Sequence, residues 1–112
     1  MYQVFRTPRF EKQMLKALSL EQQQQVNHLE TIQLALNPYV GDPLGYRFFR
    51  EKKLGPKRVY YLIYEGLKAV LMVAISDKKA QQYTFNEIKN QLGAYYALVW
   101  EAIKQRDEFG HV

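Results

Sequence analysis

The strongest constraint on this chain is the run Ala69-Val70-Leu71-Met72-Val73-Ala74-Ile75, seven apolar residues without a break. That is far short of the ~20 residues a helix needs to cross a bilayer. Length and composition read instead as a strand, and a strand apolar on both faces must be covered on both. The covering layers have to come from 112 residues, enough for one domain with a real core. We therefore read residues 1–112 as a single domain, with residues 93–112 as an extended C-terminal helix and tail.

The N-terminal part offers the first layer. Tyr2 to Arg6 reads as a short strand, with Val4 between aromatic neighbours. Thr7-Pro8 opens a helix, Thr as the cap and Pro at the first helical position, and Phe10, Met14, Leu15 and Leu18 follow at helical spacing. Ser19 starts a second helix, with Gln22 placed to complete a capping box. Val26, Leu29, Ile32 and Leu36 mark its apolar stripe, and Asn37-Pro38 stops it. The two helices form a hairpin joined at Leu18–Ser19.

From Leu44 the period changes. Tyr46 to Lys53, Arg58 to Tyr64 and Ala69 to Ile75 read as three strands of an antiparallel meander. Leu54-Gly55-Pro56-Lys57 and Glu65-Gly66-Leu67-Lys68 are the turns between them. A final helix runs from about Gln82 toward Arg106, interrupted only by Gly93. The expected class is α+β: a small antiparallel sheet of the N-terminal strand plus the meander, packed with the helical hairpin and a C-terminal helix.

Composition excludes several kinds of chemistry. Cysteine is absent and histidine occurs only as His28 and His111, so no thiolate centre exists and no zinc or iron site is expected. No Ser-His-Asp set and no glycine-rich phosphate loop can be read, and no cofactor is implied. Met1 to Arg6 lacks the basic start and apolar stretch of a signal peptide, so a cytoplasmic domain is expected.

Charge points to a partner. Sixteen Lys and Arg against eleven Asp and Glu leave the chain at +5. Six of the cations, Arg47, Arg50, Lys52, Lys53, Lys57 and Arg58, fall in one segment with Glu51 as its single acid, and Lys78 and Lys79 follow the last strand. Tyr46, Tyr60, Tyr61, Tyr64 and Tyr83 are interleaved with them. Cations beside aromatic faces suit a single-stranded nucleic acid, whose phosphates attract charge and whose unstacked bases seek a platform. Solvated lysines that blunt a sheet edge and half-buried strand tyrosines give the same pattern. If the chain is an enzyme, its groups are Arg, Lys, Tyr and Glu51. Such a set can cleave RNA: the ribose 2′-OH attacks phosphorus, a base takes its proton, and an arginine stabilises the phosphorane charge.

The element order, the segment Arg50-Glu51-Lys52-Lys53-Leu54-Gly55-Pro56-Lys57-Arg58-Val59-Tyr60-Tyr61 and the run from Ala74 to Gln82 together resemble the RelE/ParE toxin superfamily, most closely its RelE-like members. The resemblance covers residues 1–92. It implies a metal-independent, ribosome-associated mRNA endonuclease, the toxin of a type II toxin–antitoxin system. A cognate antitoxin protein is the implied partner, neutralising the basic face. The resemblance puts Arg50, Lys52 or Lys53, Arg58, Lys79 and Tyr83 on the active surface, and the chemistry of these groups assigns a catalytic set of Lys52 as base, Arg58 and Lys79 as phosphate clamps and Tyr83 as an orienting or proton-relay group. Arg47, Arg50, Lys53, Lys57, Lys78 and Tyr60 would contact RNA. Successive strand residues point to opposite faces, so Lys52 and Lys53 can exchange roles.

Two other readings stay open. A ParE-like chain would inhibit DNA gyrase and cleave nothing, and an inactive relic would keep only an interaction surface. In the relic the basic residues would point apart or pair with Glu51 and Asp77. Beyond Leu92, the stripe of Tyr95, Tyr96, Leu98, Val99, Trp100 and Ile103 either packs on the sheet, the preferred reading, or meets a second copy in a homodimer. No membrane partner is expected.

Overall fold

The computed structural model describes residues 1–109, so His111 lies outside the described residues. The elements are β1 (Gln3–Arg6), α1 (Pro8–Ala17), α2 (Leu20–His28), β2 (Asp42–Tyr46), β3 (Phe49–Leu54), β4 (Lys57–Tyr64), β5 (Ala69–Asp77), α3 (Gln81–Lys89) and α4 (Leu92–Phe109). The sheet order is β1-β5-β4-β3-β2. α1, α2 and the turn after them cover one face, burying Phe10, Met14, Leu18, Val26, Leu29 and Leu34 against Val59, Tyr61, Ile63, Val70 and Met72. α3 and α4 cover the other, with Ile88, Tyr95 and Val99 against Phe49, Tyr60, Leu62, Leu71 and Val73. The seven-residue apolar run lies inside β5, between β1 and β4 and buried throughout, as its composition requires. Each of its large side chains contributes about 1.5–3 kcal/mol through burial.

The local signals are realised as read. Thr7 Oγ1 accepts the Phe10 N–H at 3.0 Å with Pro8 in the first turn, and Ser19 and Gln22 form a reciprocal capping box (3.1 and 2.9 Å).

Four features differ from the sequence reading. The sheet is mixed, because β1 pairs in parallel with β5 (Gln3↔Ala69 to Arg6↔Met72). The segment taken as one strand from Tyr46 is a hairpin: β2 is an additional edge strand, the chain turns at Arg47-Phe48, and β3 begins at Phe49. Pro43 is tolerated there because an edge strand has one unpaired side. The second helix does not run regularly to Asn37. After His28 a π-helical turn, Leu29–Leu34, rotates the following residues, so Glu30, Leu34 and Ala35 are buried while Ile32 and Leu36 stand 51% and 66% exposed. Glu30 there takes a bidentate hydrogen bond from Arg6 (2.8 and 2.6 Å), which ties β1 to the turn and raises the Arg6 pKa further. Finally, the C-terminal helix is two helices that break at Asn90-Gln91, and Gly93 sits inside the first turn of α4.

On α4, Tyr95 and Val99 are buried and Leu92 and Ile103 pack beside them, so that stripe packs on the sheet. Tyr96, Leu98 and Trp100 are 40–49% exposed on the remaining surface. No helix among the described residues is long and apolar enough to cross a membrane.

Candidate nucleic-acid interface

The β3–β4 hairpin fixes the site. Its two-residue connection is Gly55-Pro56, and Gly55 adopts φ +59°, which a primed hairpin turn asks of its first central residue. Leu54 therefore pairs with Lys57, Lys53 with Arg58 and Lys52 with Val59. Across the next ladder Arg58 pairs with Ser76 and Lys57 with Asp77. Side chains alternate between faces, so Lys53, Arg58 and Ser76 form one rung on the α3–α4 side, with Glu51 and Tyr60 on the rung beside it. Lys52 points the other way. It lines a groove of about 390 Å³ with Glu21, Gln24, Gln25, His28 and Gln33 of the α2 segment.

Glu51 is the buried centre of this cluster. Arg58 Nη1 donates to its Oε1 at 3.3 Å, and Gln81 Nε2 from α3 donates to both carboxylate oxygens at 3.2 and 3.0 Å. Side-chain exposure is 5% for Glu51 and 12% for Arg58. Arg58 Nε is buried without a partner. Beside them the Tyr60 hydroxyl meets Ser76 Oγ at 2.8 Å, and Ser76 Oγ donates to the Asp77 carbonyl. Burial raises the Tyr60 phenol above the ordinary tyrosine pKa. Lys53, Lys78 and Lys79 are exposed around this centre, the last two in the turn where the Asp77 carboxylate accepts the Ala80 N–H (2.9 Å).

Other expected site residues lie elsewhere. Arg50 sits near the far end of β3, about 10 Å along the strand from Lys53, and Arg47 lies in the turn that precedes the strand. The Arg50 guanidinium is spent on backbone carbonyls, of Arg47 (2.9 Å), Tyr39 (3.0 Å) and Gly41 (2.7 Å), and both arginines stack on the Tyr39 ring. Arg50 thus holds the 38–41 loop. Tyr83 is 68% exposed on α3 and lines a groove of about 310 Å³ with Arg9, Gln13, Lys57 and Asp77, a groove that neither Lys53 nor Arg58 lines. The structure brings together Lys53 and Arg58, with Lys78 and Lys79 on the adjoining turn. It separates them from Lys52, Arg47 and Arg50. Gln81 and Ser76 are the cluster residues that the sequence did not single out, whereas Glu51 stood out as the one acid of the basic segment and pairs with Arg58, as the inactive-relic reading expects. The two-residue spacing of Glu51 and Lys53 on one strand was the available signal for their shared face. Among the described residues no group of three metal-ligating side chains comes together.

No protein-family model matches the sequence, and no curated protein does. Solved structures do. A chain of the toxin–antitoxin complex RelBE2 from Mycobacterium tuberculosis is 21% identical, with a TM-score of 0.59 over 69% of this chain and 91% of that one. A mutant of the E. coli toxin RelE in the free state gives a TM-score of 0.66 at 16% identity, covering 80% of this chain and 96% of that one. The chain has the fold of the RelE toxins. The archaeal RelE–RelB complex from Pyrococcus horikoshii is similar at a TM-score of 0.51 and 18% identity, over 69% of this chain and 94% of that one. At 16–21% identity these likenesses extend to the fold alone, and a fold hosts many functions.

Proposed function

We propose that this chain is the toxin of a type II toxin–antitoxin pair and that it cuts messenger RNA on the ribosome. The observation that carries the reading is the Lys53–Arg58 rung, two cations side by side on one face of a RelE-type sheet. A scissile phosphate lies against Arg58, whose charge stabilises the pentacoordinate transition state. Lys53 takes the place first assigned to Lys52 and handles the proton, while Lys78 and Lys79 hold flanking phosphates. Glu51 and Gln81 are positioning residues that fix the guanidinium. The 2′-oxygen displaces the 5′-oxygen, leaving a cyclic phosphate and a 5′-hydroxyl end. The RelE chains from M. tuberculosis and P. horikoshii are found with antitoxins, and an acidic antitoxin segment would cover the same basic rim here.

One observation favours a second reading, a non-cleaving chain that keeps the fold and an interaction surface: Arg58 is already paired with Glu51. Cell-free translation separates the two. The chain and its Lys53→Ala, Lys79→Ala variant are added to translating ribosomes, and mRNA 5′ ends are mapped by primer extension. New ends produced by the parent chain alone support the ribonuclease. No new ends from either protein refute it, and an assay of gyrase supercoiling then tests the ParE-like branch.

A further inference from the structure

We propose that α1 carries a second RNA contact: a track of Arg9, Lys12 and Lys16 that continues to Lys57 and Tyr83 and holds a single-stranded RNA backbone leaving the Lys53–Arg58 rung. For the identity of its ligand this rests on the RNA-directed reading above. Spacings of three and four residues put the three α1 cations on one helix face. Two depressions follow that face. One, of about 470 Å³, is lined by Arg9, Lys12, Gln13 and Lys16, and the other, of about 310 Å³, by Arg9, Gln13, Lys57, Asp77 and Tyr83. They share Arg9, Gln13 and Ala17, so they form one continuous path.

Charge distinguishes this path from the other grooves. Among the described residues Lys12, Lys16 and Lys57 make no ion pair. The one acid that lines it is Asp77, which accepts the Ala80 N–H; outside the lining, Glu87 pairs with Arg9 at 2.8 Å and braces α1 against α3. The groove along β1, by contrast, sets Arg6 and Arg106 against Glu11 and Glu30, and the groove beneath Lys52 contains Glu21. Tyr83, 68% exposed at the end of the path, presents a ring on which one base can stack. The path thus combines unpaired cations, a fixed wall and one aromatic platform.

The test is the salt dependence of binding to an end-labelled oligouridylate, read by fluorescence anisotropy between about 50 and about 200 mM salt. Each lost phosphate contact on a single strand lowers the slope of log K against log salt by about 0.7. The Lys12→Gln, Lys16→Gln, Lys57→Gln triple variant should therefore lose about 2.1 in slope and about 100-fold in affinity near 0.1 M salt. If the triple fails to fold, the Lys12→Gln, Lys16→Gln pair should lose about 1.4. A control triple of equal charge change, Lys68→Gln, Lys89→Gln, Lys104→Gln, should keep the parent slope. Tyr83→Ala should weaken binding by about 5- to 150-fold at constant slope. An unchanged slope in the track triple, or an equal loss in the control, overturns the proposal. mRNA cutting by the parent chain together with an unchanged slope refutes the track alone; a lost slope without cutting refutes the nuclease alone.

Discussion

Breaking the Glu51–Arg58 pair tests whether it is a structural element or a removable surface contact. Both side chains are nearly buried, at 5% and 12% exposure, so water screens them little. Removing one partner of a buried pair costs about 3–5 kcal/mol, mostly from the uncompensated charge left behind. Gln81 still donates to Glu51 when Arg58 is lost, which puts Arg58→Met near the low end, about 3 kcal/mol. For a domain of this size that lowers Tm by about 12 °C. Glu51→Leu leaves Arg58 buried beside no carboxylate and should also destabilise. The double variant replaces the pair by apolar packing and should return to within about 1 kcal/mol of the parent. Urea unfolding of the four proteins, followed by circular dichroism, measures the cycle, and the expected coupling is at least about 2 kcal/mol. Single variants that each cost under about 1 kcal/mol, adding without coupling, would mean that the pair behaves as an exposed one and that Glu51 does not position Arg58.

Two further predictions concern the scaffold. A Cβ at Gly41 would lie 2.5 Å from the Tyr61 hydroxyl and 2.6 Å from the Glu51 carbonyl oxygen. Because the second is backbone, Gly41→Ala must shift β3, and denaturant unfolding should show a loss of about 1–3 kcal/mol. Tyr61 donates to the Pro38 carbonyl and accepts the Gly41 N–H, and burial pushes its phenol up from 10.0 to about 12. The fold therefore favours the neutral phenol: this contribution is intact below pH 10 and is lost as pH rises toward about 12. Ultraviolet titration should show the folded chain ionising fewer tyrosines near pH 11 than the urea-unfolded chain, and equal titration would contradict the buried phenol.

What the sequence disclosed was local. The run in β5, the Thr7-Pro8 start and the Ser19–Gln22 capping box each act within a few residues, so a short window contains their cause. The pairing of β1 with β5 joins residues more than sixty positions apart and leaves no mark in either segment. β2 hides because Asp42, Pro43 and Gly45 are poor strand formers that an edge strand tolerates. The π-helical turn escapes because Ile32 and Leu36 fit a regular helix equally well, and only the Arg6–Glu30 contact shows which register wins. At the site, the basic cluster was legible but its division between two faces was not. That division depends on the turn at Gly55-Pro56, which sets Lys53 opposite Arg58 and turns Lys52 away. Arg50 looked like an RNA contact because its three carbonyl partners lie in a loop and a turn whose path the sequence does not specify.

The division between faces is also the most direct test of the account. Lys52→Ala and Lys53→Ala remove the same charge from adjacent positions, so mRNA cutting in cell-free translation can be compared for the two variants at matched concentration of folded protein. Loss of one preorganised cationic group at the reacting phosphate should slow cutting about 10²- to 10³-fold. Lys53→Ala should show that loss, and Lys52→Ala a change of no more than a few-fold. Cutting abolished by Lys52→Ala and spared by Lys53→Ala would put the reacting phosphate on the α1–α2 face and contradict the assignment of Lys53.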